Sequence, residues 1–182
     1  AAASLLPTGK VLFWSAESRF SFIRGGSQTY TSLFDPATLN ATERLVTTNG
    51  HNMFRPGTRN LPDGRILVNG GSVSDRTTIY DPFTDTWAGS PATDMNIPRG
   101  YQANCVLQDG SVLTLGGSWS GPVGGKHAEI YTDASGWRLL PGVPVTPMLS
   151  ADPNSADAYY SNDSHFWLLP AGNGKVFHAG PG

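Results

Sequence analysis

The chain has 182 residues with 22 glycines, 14 prolines, only 14% charged residues and a formal net charge of −2. That balance suits a loop-rich all-β class, and no apolar run approaches a membrane span. Scattered lysines and arginines form no basic footprint, which excludes nucleic-acid and anionic-membrane partners from the expectation. The opening segment Ala1-Ala2-Ala3-Ser4-Leu5-Leu6 lacks a basic leader and a long apolar core, so it does not read as a signal peptide.

Leu6-Pro7-Thr8-Gly9-Lys10-Val11-Leu12 is the first, weak copy of a unit that recurs down the chain. The unit is fullest in Leu61-Pro62-Asp63-Gly64-Arg65-Ile66-Leu67-Val68-Asn69-Gly70-Gly71 and Leu107-Gln108-Asp109-Gly110-Ser111-Val112-Leu113-Thr114-Leu115-Gly116-Gly117. Each reads as a tight hairpin turn, a short apolar strand and a Gly-Gly pair where backbone must bend or crowd. A fourth copy is Gly174-Lys175-Val176-Phe177-His178-Ala179-Gly180. Gly9, Gly64, Gly110 and Gly174 are thus spaced by an irregular period of about 40 to 50 residues plus loop insertions, the length of a propeller blade.

After each Gly-Gly pair come a tyrosine and a later tryptophan, Tyr80 with Trp87 and Tyr131 with Trp137. Turn formers separate them, so the two aromatics can flank a hairpin and fill the space between neighbouring blades. This is a kelch signature. The first unit keeps the turn Phe34-Asp35-Pro36-Ala37-Thr38 but has no tryptophan at the matching place, and reads as a degenerate copy. The predicted architecture is an all-β, partial kelch β-propeller of about three to four blades, in units of roughly 1–50, 51–97, 98–150 and an incomplete 151–182. An open stack leaves exposed flanks, so remaining blades in the same parent chain or a partner chain are expected to cover them.

Nine residues before the turn glycine stand Arg55 in the second unit and Tyr101 in the third. Both should begin the innermost strands of neighbouring blades near the ring axis. Trp119 lies in the Gly/Ser-rich loop Gly116-Gly117-Ser118-Trp119-Ser120-Gly121, where an indole has no strand to pack into. His51, His127, His165 and His178 have no metal-ligand spacing and read as hydrogen-bonded strand or loop histidines. The aspartates sit mostly in turn signals, with no carboxylate pair across a cleft. Cys105 is the single cysteine, so no disulfide forms within the chain. Asn40-Ala41-Thr42 and Asn162-Asp163-Ser164 are glycosylation sequons.

The segments His51-Asn52-Met53-Phe54-Arg55-Pro56-Gly57, Pro98-Arg99-Gly100-Tyr101-Gln102, Gly116-Gly117-Ser118-Trp119-Ser120-Gly121 and Ser164-His165-Phe166-Trp167 resemble, in order, the galactose oxidase group of copper radical oxidases. The resemblance implies the early blades of a seven-bladed catalytic propeller in a secreted, extracellular enzyme. Such an enzyme oxidises a primary alcohol or aldehyde while reducing oxygen to peroxide. It further implies copper as cofactor, Tyr101 as metal ligand and radical carrier, Trp119 as the indole stacked over it, and a small-molecule alcohol or carbohydrate as substrate. Phe20 and Phe22, in a loop ending Arg24-Gly25-Gly26, are expected to wall the substrate pocket with Trp119 and Tyr160. Two departures stand out. Arg55 occupies the place of the cysteine that the family joins to the radical tyrosine, and Cys105, four strand positions or roughly 13 Å from Tyr101, is no substitute. Tyr160 stands where sugar-oxidising members carry arginine. The family's remaining copper ligands come from later blades, so the isolated chain is not expected to turn over. The competing expectation is an inactive kelch module that binds carbohydrate or protein, or a propeller completed by oligomerisation.

Overall fold

The computed structural model describes residues 1–20, 26–89, 94–149 and 163–180. Among them the strands fall into three four-stranded antiparallel sheets and one two-stranded sheet, and within each sheet every strand pairs with the next in sequence. The first sheet comprises β1 Ala2–Leu5, β2 Val11–Trp14, β3 Thr29–Asp35 and β4 Asn40–Val46. The second comprises β5 Gly57–Asn60, β6 Ile66–Asn69, β7 Thr77–Asp81 and β8 Thr86–Gly89. The third comprises β9 Ala103–Val106, β10 Val112–Leu115, β11 Glu129–Thr132 and β12 Gly136–Leu139. The last pairs β13 Trp167–Pro170 with β14 Val176–Ala179. Among the described residues, helix is confined to two short 3-10 turns, Thr48–Gly50 and Thr146–Met148. The partial propeller read from the repeats is what forms.

The turn glycines initiate each sheet. Gly9, Gly64, Gly110 and Gly174 all have φ between 70° and 91°, a region that penalises a side chain. In the second unit the Gly64 amide donates to the Leu61 carbonyl at 2.9 Å, while Asp63 Oδ1 accepts the Arg65 amide at 3.0 Å. Strands β1, β5, β9 and β13 then lie side by side, which makes them the inner strands about a common axis.

The core consists of layers between sheets, because the period of two sends alternate side chains to opposite neighbours. Ile66 and Val68 join Leu12, Trp14, Val46 and Tyr80 between the first and second sheets. Leu67 and Ile79 face the other way and pack with Val112, Tyr131 and Trp137. Leu113 and Leu115 meet Phe166 and Leu168 from the last sheet. Strands β6 and β10 are therefore buried on both faces, and both are apolar but for one buried polar residue each, Asn69 and Thr114.

The Tyr/Trp pairs sit directly opposite each other, Tyr80 against Trp87 and Tyr131 against Trp137. At the same register the first sheet has Phe34 against Ala41. The unit that looks degenerate nevertheless completes four strands, with β3 and β4 extended to seven residues each. On its other face Trp14 packs against the second sheet, its ring meeting Trp87 edge-on at 6.2 Å and its Nε1 donating to the Met53 carbonyl at 3.0 Å.

Candidate functional site

Arg55 and Tyr101 do not begin the inner strands. Each precedes its strand by two residues and adopts positive φ, 69° and 61°, which turns the side chain out of the sheet. His165 stands at the same station before β13, nine residues ahead of Gly174, with φ 62°. A left-handed backbone at a residue with a β-carbon costs roughly 1–2 kcal/mol, so three consecutive units bear the same strain at the same place. A relay of main-chain hydrogen bonds holds it: the Tyr101 amide donates to the Arg55 carbonyl at 2.9 Å, and the His165 amide to the Tyr101 carbonyl at 3.2 Å.

The Gly-Gly pairs lock adjacent units below this relay. Gly71 and Gly117 donate their amides to the Arg99 and Asp163 carbonyls, at 2.8 and 2.6 Å. A β-carbon on Gly116 would stand 2.2 Å from the Asp163 carbonyl oxygen. Gly100 bridges to Ser118 in parallel fashion, its amide donating to the Gly117 carbonyl at 2.9 Å, and this lays the Trp119 loop along Tyr101. Asp163 fixes the loop from the other side, accepting the Ser118 amide at 2.7 Å and the Ser118 hydroxyl at 2.6 Å.

Two buried cations brace the loop. Arg99 pairs with Glu129 at 3.1 Å, both side chains fully buried, and donates to the Gly116 and Lys126 carbonyls at 2.9 and 3.0 Å. Glu129 also accepts the Asn96 and Ile97 amides, at 2.8 and 3.0 Å. Lys126 Nζ donates to the carbonyls of Pro98 and Ser120. Burial and the nearby Arg99 charge lower its ammonium pKa to about 8.

Four rings and one guanidinium meet at the cluster. The Tyr101 and Trp119 rings are 5.5 Å apart at 74°, so the indole meets the phenol edge-on and does not stack over it. The face of the indole is taken by the Arg55 guanidinium, 4.8 Å from its centroid; the same guanidinium lies 4.6 Å from the Phe54 ring and 5.8 Å from the Tyr101 ring. The ring that lies against Tyr101 is His165, at 4.1 Å and 39°. It is a loop histidine before β13, and its nine-residue offset from the turn glycine Gly174 is the sequence signal that places it beside Tyr101. Partial burial lowers its pKa below the ordinary value, which favours a neutral imidazole at pH 7. His51, by contrast, is a core residue: Nε2 donates to the Gly70 carbonyl at 2.8 Å and Nδ1 accepts from Thr78 Oγ1 at 2.8 Å.

Phe20 is 95% exposed, in a shallow groove with Glu17, Arg19, Gln28 and Tyr30. Phe22 and Tyr160 fall outside the described residues. Cys105 is buried within β9, and burial pushes its thiol pKa up.

A copper centre needs several N or O donors converging on one point. Among the described residues no three His, Cys, Asp or Glu side chains gather to hold a metal. At the cluster the phenol and imidazole rings lie against each other, and a cationic guanidinium with a buried Nε lacking any acceptor stands beside them. The described residues alone do not fit copper.

Over 186 aligned positions the whole chain is 43% identical to two galactose oxidases of Gibberella zeae, while spanning about a quarter (26%) of their length. A fungal alcohol oxidase of the AA5 family, solved in complex with copper, matches with a TM-score of 0.82 and 35% identity over 96% of this chain and 35% of its own. No protein-family model matches. The resemblance carried by the four motifs thus extends along the entire chain, in sequence and in fold.

Proposed function

We propose that this chain, related along its whole length to the galactose oxidase family of copper radical oxidases, builds early blades of the catalytic propeller of such a protein and does not turn over alone. In a ring completed by further blades, the reaction is oxidation of a primary alcohol or aldehyde with reduction of oxygen to peroxide, in a secreted, extracellular setting. The carrying observation is the contact of Tyr101 with Trp119 at the relay end of the inner strands, each delivered by a different segment. Under this reading Tyr101 is one metal ligand and redox residue among donors supplied from outside the chain, and Trp119 shields it from solvent. The same reading assigns Phe20, Phe22 and Tyr160, with Trp119, the binding of a small alcohol or carbohydrate.

Arg55 favours a second reading. A guanidinium 5.8 Å from the phenol ring repels a cupric ion, and no sulfur is available there to lower the oxidation potential of the phenol. A propeller that binds carbohydrate or protein without redox chemistry is consistent with that charge. Copper titration of the full-length protein, followed by electron paramagnetic resonance and peroxide assay on primary alcohols, separates the two. The oxidase reading expects a copper signal and peroxide release that Tyr101→Phe abolishes. A silent wild-type protein, or a copper signal indifferent to Tyr101→Phe, contradicts it and leaves the binding module.

A further inference from the structure

We infer that Arg55, framed by Phe54, Trp119 and Tyr101, is a binding site for the carboxylate of a small organic acid, of which a sugar acid is the best-fitting class. This inference uses the same cluster as the proposed function but does not depend on oxidase activity.

Arg19, Arg44, Arg65, Arg76 and Arg99 all pair with a carboxylate of the chain. Arg55, like Arg59 and Arg138, has no carboxylate partner among the described residues, but it alone of the three is framed by aromatic rings. Aromatic rings hold it instead, 4.6 Å from Phe54 and 4.8 Å from Trp119, so its position is fixed while no described carboxylate compensates its charge. Its Nε is buried and has no hydrogen-bond acceptor. That atom is half of the Nε/Nη edge by which a guanidinium grips a carboxylate through two parallel hydrogen bonds. A buried donor on a cation without an acceptor is costly, and a carboxylate seated against the guanidinium supplies the missing oxygen once the covering side chains shift to admit it.

The surroundings select further. Arg55, Tyr101 and Trp119 are each accessible to solutes at the relay end, Arg55 and Tyr101 being only partly buried. The phenol and indole flank the guanidinium as aromatic walls, 5.8 and 4.8 Å from it. The backbone at Arg55 is left-handed and tied to Tyr101, which presents the guanidinium at the relay end of the inner strands rather than along the sheet. Cation, acceptor-seeking edge and aromatic walls together match a carboxylate borne on a compact, C–H-rich skeleton.

The test is isothermal titration of the full-length protein, metal removed by chelation, with sodium glucuronate and with glucose. Glucuronate is expected to bind and glucose, lacking the carboxylate, to bind at least about tenfold more weakly. Arg55→Gln is expected to weaken glucuronate binding about tenfold or more while leaving glucose unchanged. Arg55→Lys keeps the charge but loses the fork; it is expected to bind several-fold more weakly and carries the test if Arg55→Gln does not fold. Absence of glucuronate binding by the wild-type protein, equal binding of glucose, or a glucuronate affinity that both variants retain overturns the inference. Peroxide release from the copper-loaded protein, measured in parallel, bears only on the oxidase reading.

Discussion

Gly116 and Gly124 share a positive φ, 76° and 79°, but only one is crowded. An alanine β-carbon at Gly116 meets the Asp163 carbonyl oxygen at 2.2 Å and the Phe166 ring at 2.6 Å, whereas at Gly124 nothing lies within 4 Å. Gly116→Ala is therefore expected to cost roughly 2–5 kcal/mol and Gly124→Ala about 1–2 kcal/mol, read by chemical denaturation. His51 supplies a pH test at the same scale. Burial lowers its pKa from the ordinary 6.5 to about 4, so the unfolded chain binds a proton that the folded chain refuses between those values. Stability is complete above pH 6.5 and declines as pH falls toward 4, by roughly 3 kcal/mol from this residue. The slope of unfolding free energy against pH in that window should flatten in His51→Gln, and an unchanged slope contradicts the assignment.

At the scale of elements, neighbouring sheets are joined by a repeated three-residue staple. The Tyr80 hydroxyl donates to Asp85 at 2.7 Å, and Asp85 pairs with Arg44 of the preceding sheet at 2.7 Å. Tyr131 donates to Asp133 at 3.0 Å, and Asp133 pairs with Arg65 of its own preceding sheet. Arg44 and Asp85 are exposed, so Arg44→Ala should cost only about 0.2–1 kcal/mol in unfolding experiments. Arg99→Met, which strips the partner from the fully buried Glu129, should cost about 3–5 kcal/mol. The turns, the short strands and the Tyr/Trp pairs were legible in the sequence because turn chemistry and alternation are local. The staples and the Arg99–Glu129 pair were not, since partners about 30 to 70 positions apart leave no local pattern. The edge-on Trp119 escaped for a related reason: Arg55 covers the indole face, and only the folded relay brings them together. His165 was readable through its offset from Gly174, but isolated histidines give no such cue without that register.

Across the whole molecule, burial is good between sheets and poor on the two flanks. Leu5 and Phe13 of the first sheet are 68% and 40% exposed, and Trp167, Leu169 and Phe177 of the last are 61%, 47% and 57% exposed. Open flanks of this kind favour edge and face association. The isolated 182-residue chain is expected to run as oligomers in size-exclusion chromatography with light scattering, and Phe177→Lys should shift it toward monomer. A monodisperse wild-type monomer contradicts that picture.

The side-by-side placement of Arg55 and Tyr101 at matching stations of adjacent blades underlies both the second functional reading and the carboxylate site. Arg55→Cys in the full-length protein, loaded with copper under air, tests it chemically. Removal of the thiol hydrogen and one ring hydrogen, with oxygen as oxidant, joins sulfur to a ring carbon. A mass lower by two hydrogen atoms is predicted, together with a peptide in which the introduced thiol is cross-linked to Tyr101. Copper binding without that mass loss, or a cross-link to another residue, contradicts the placement.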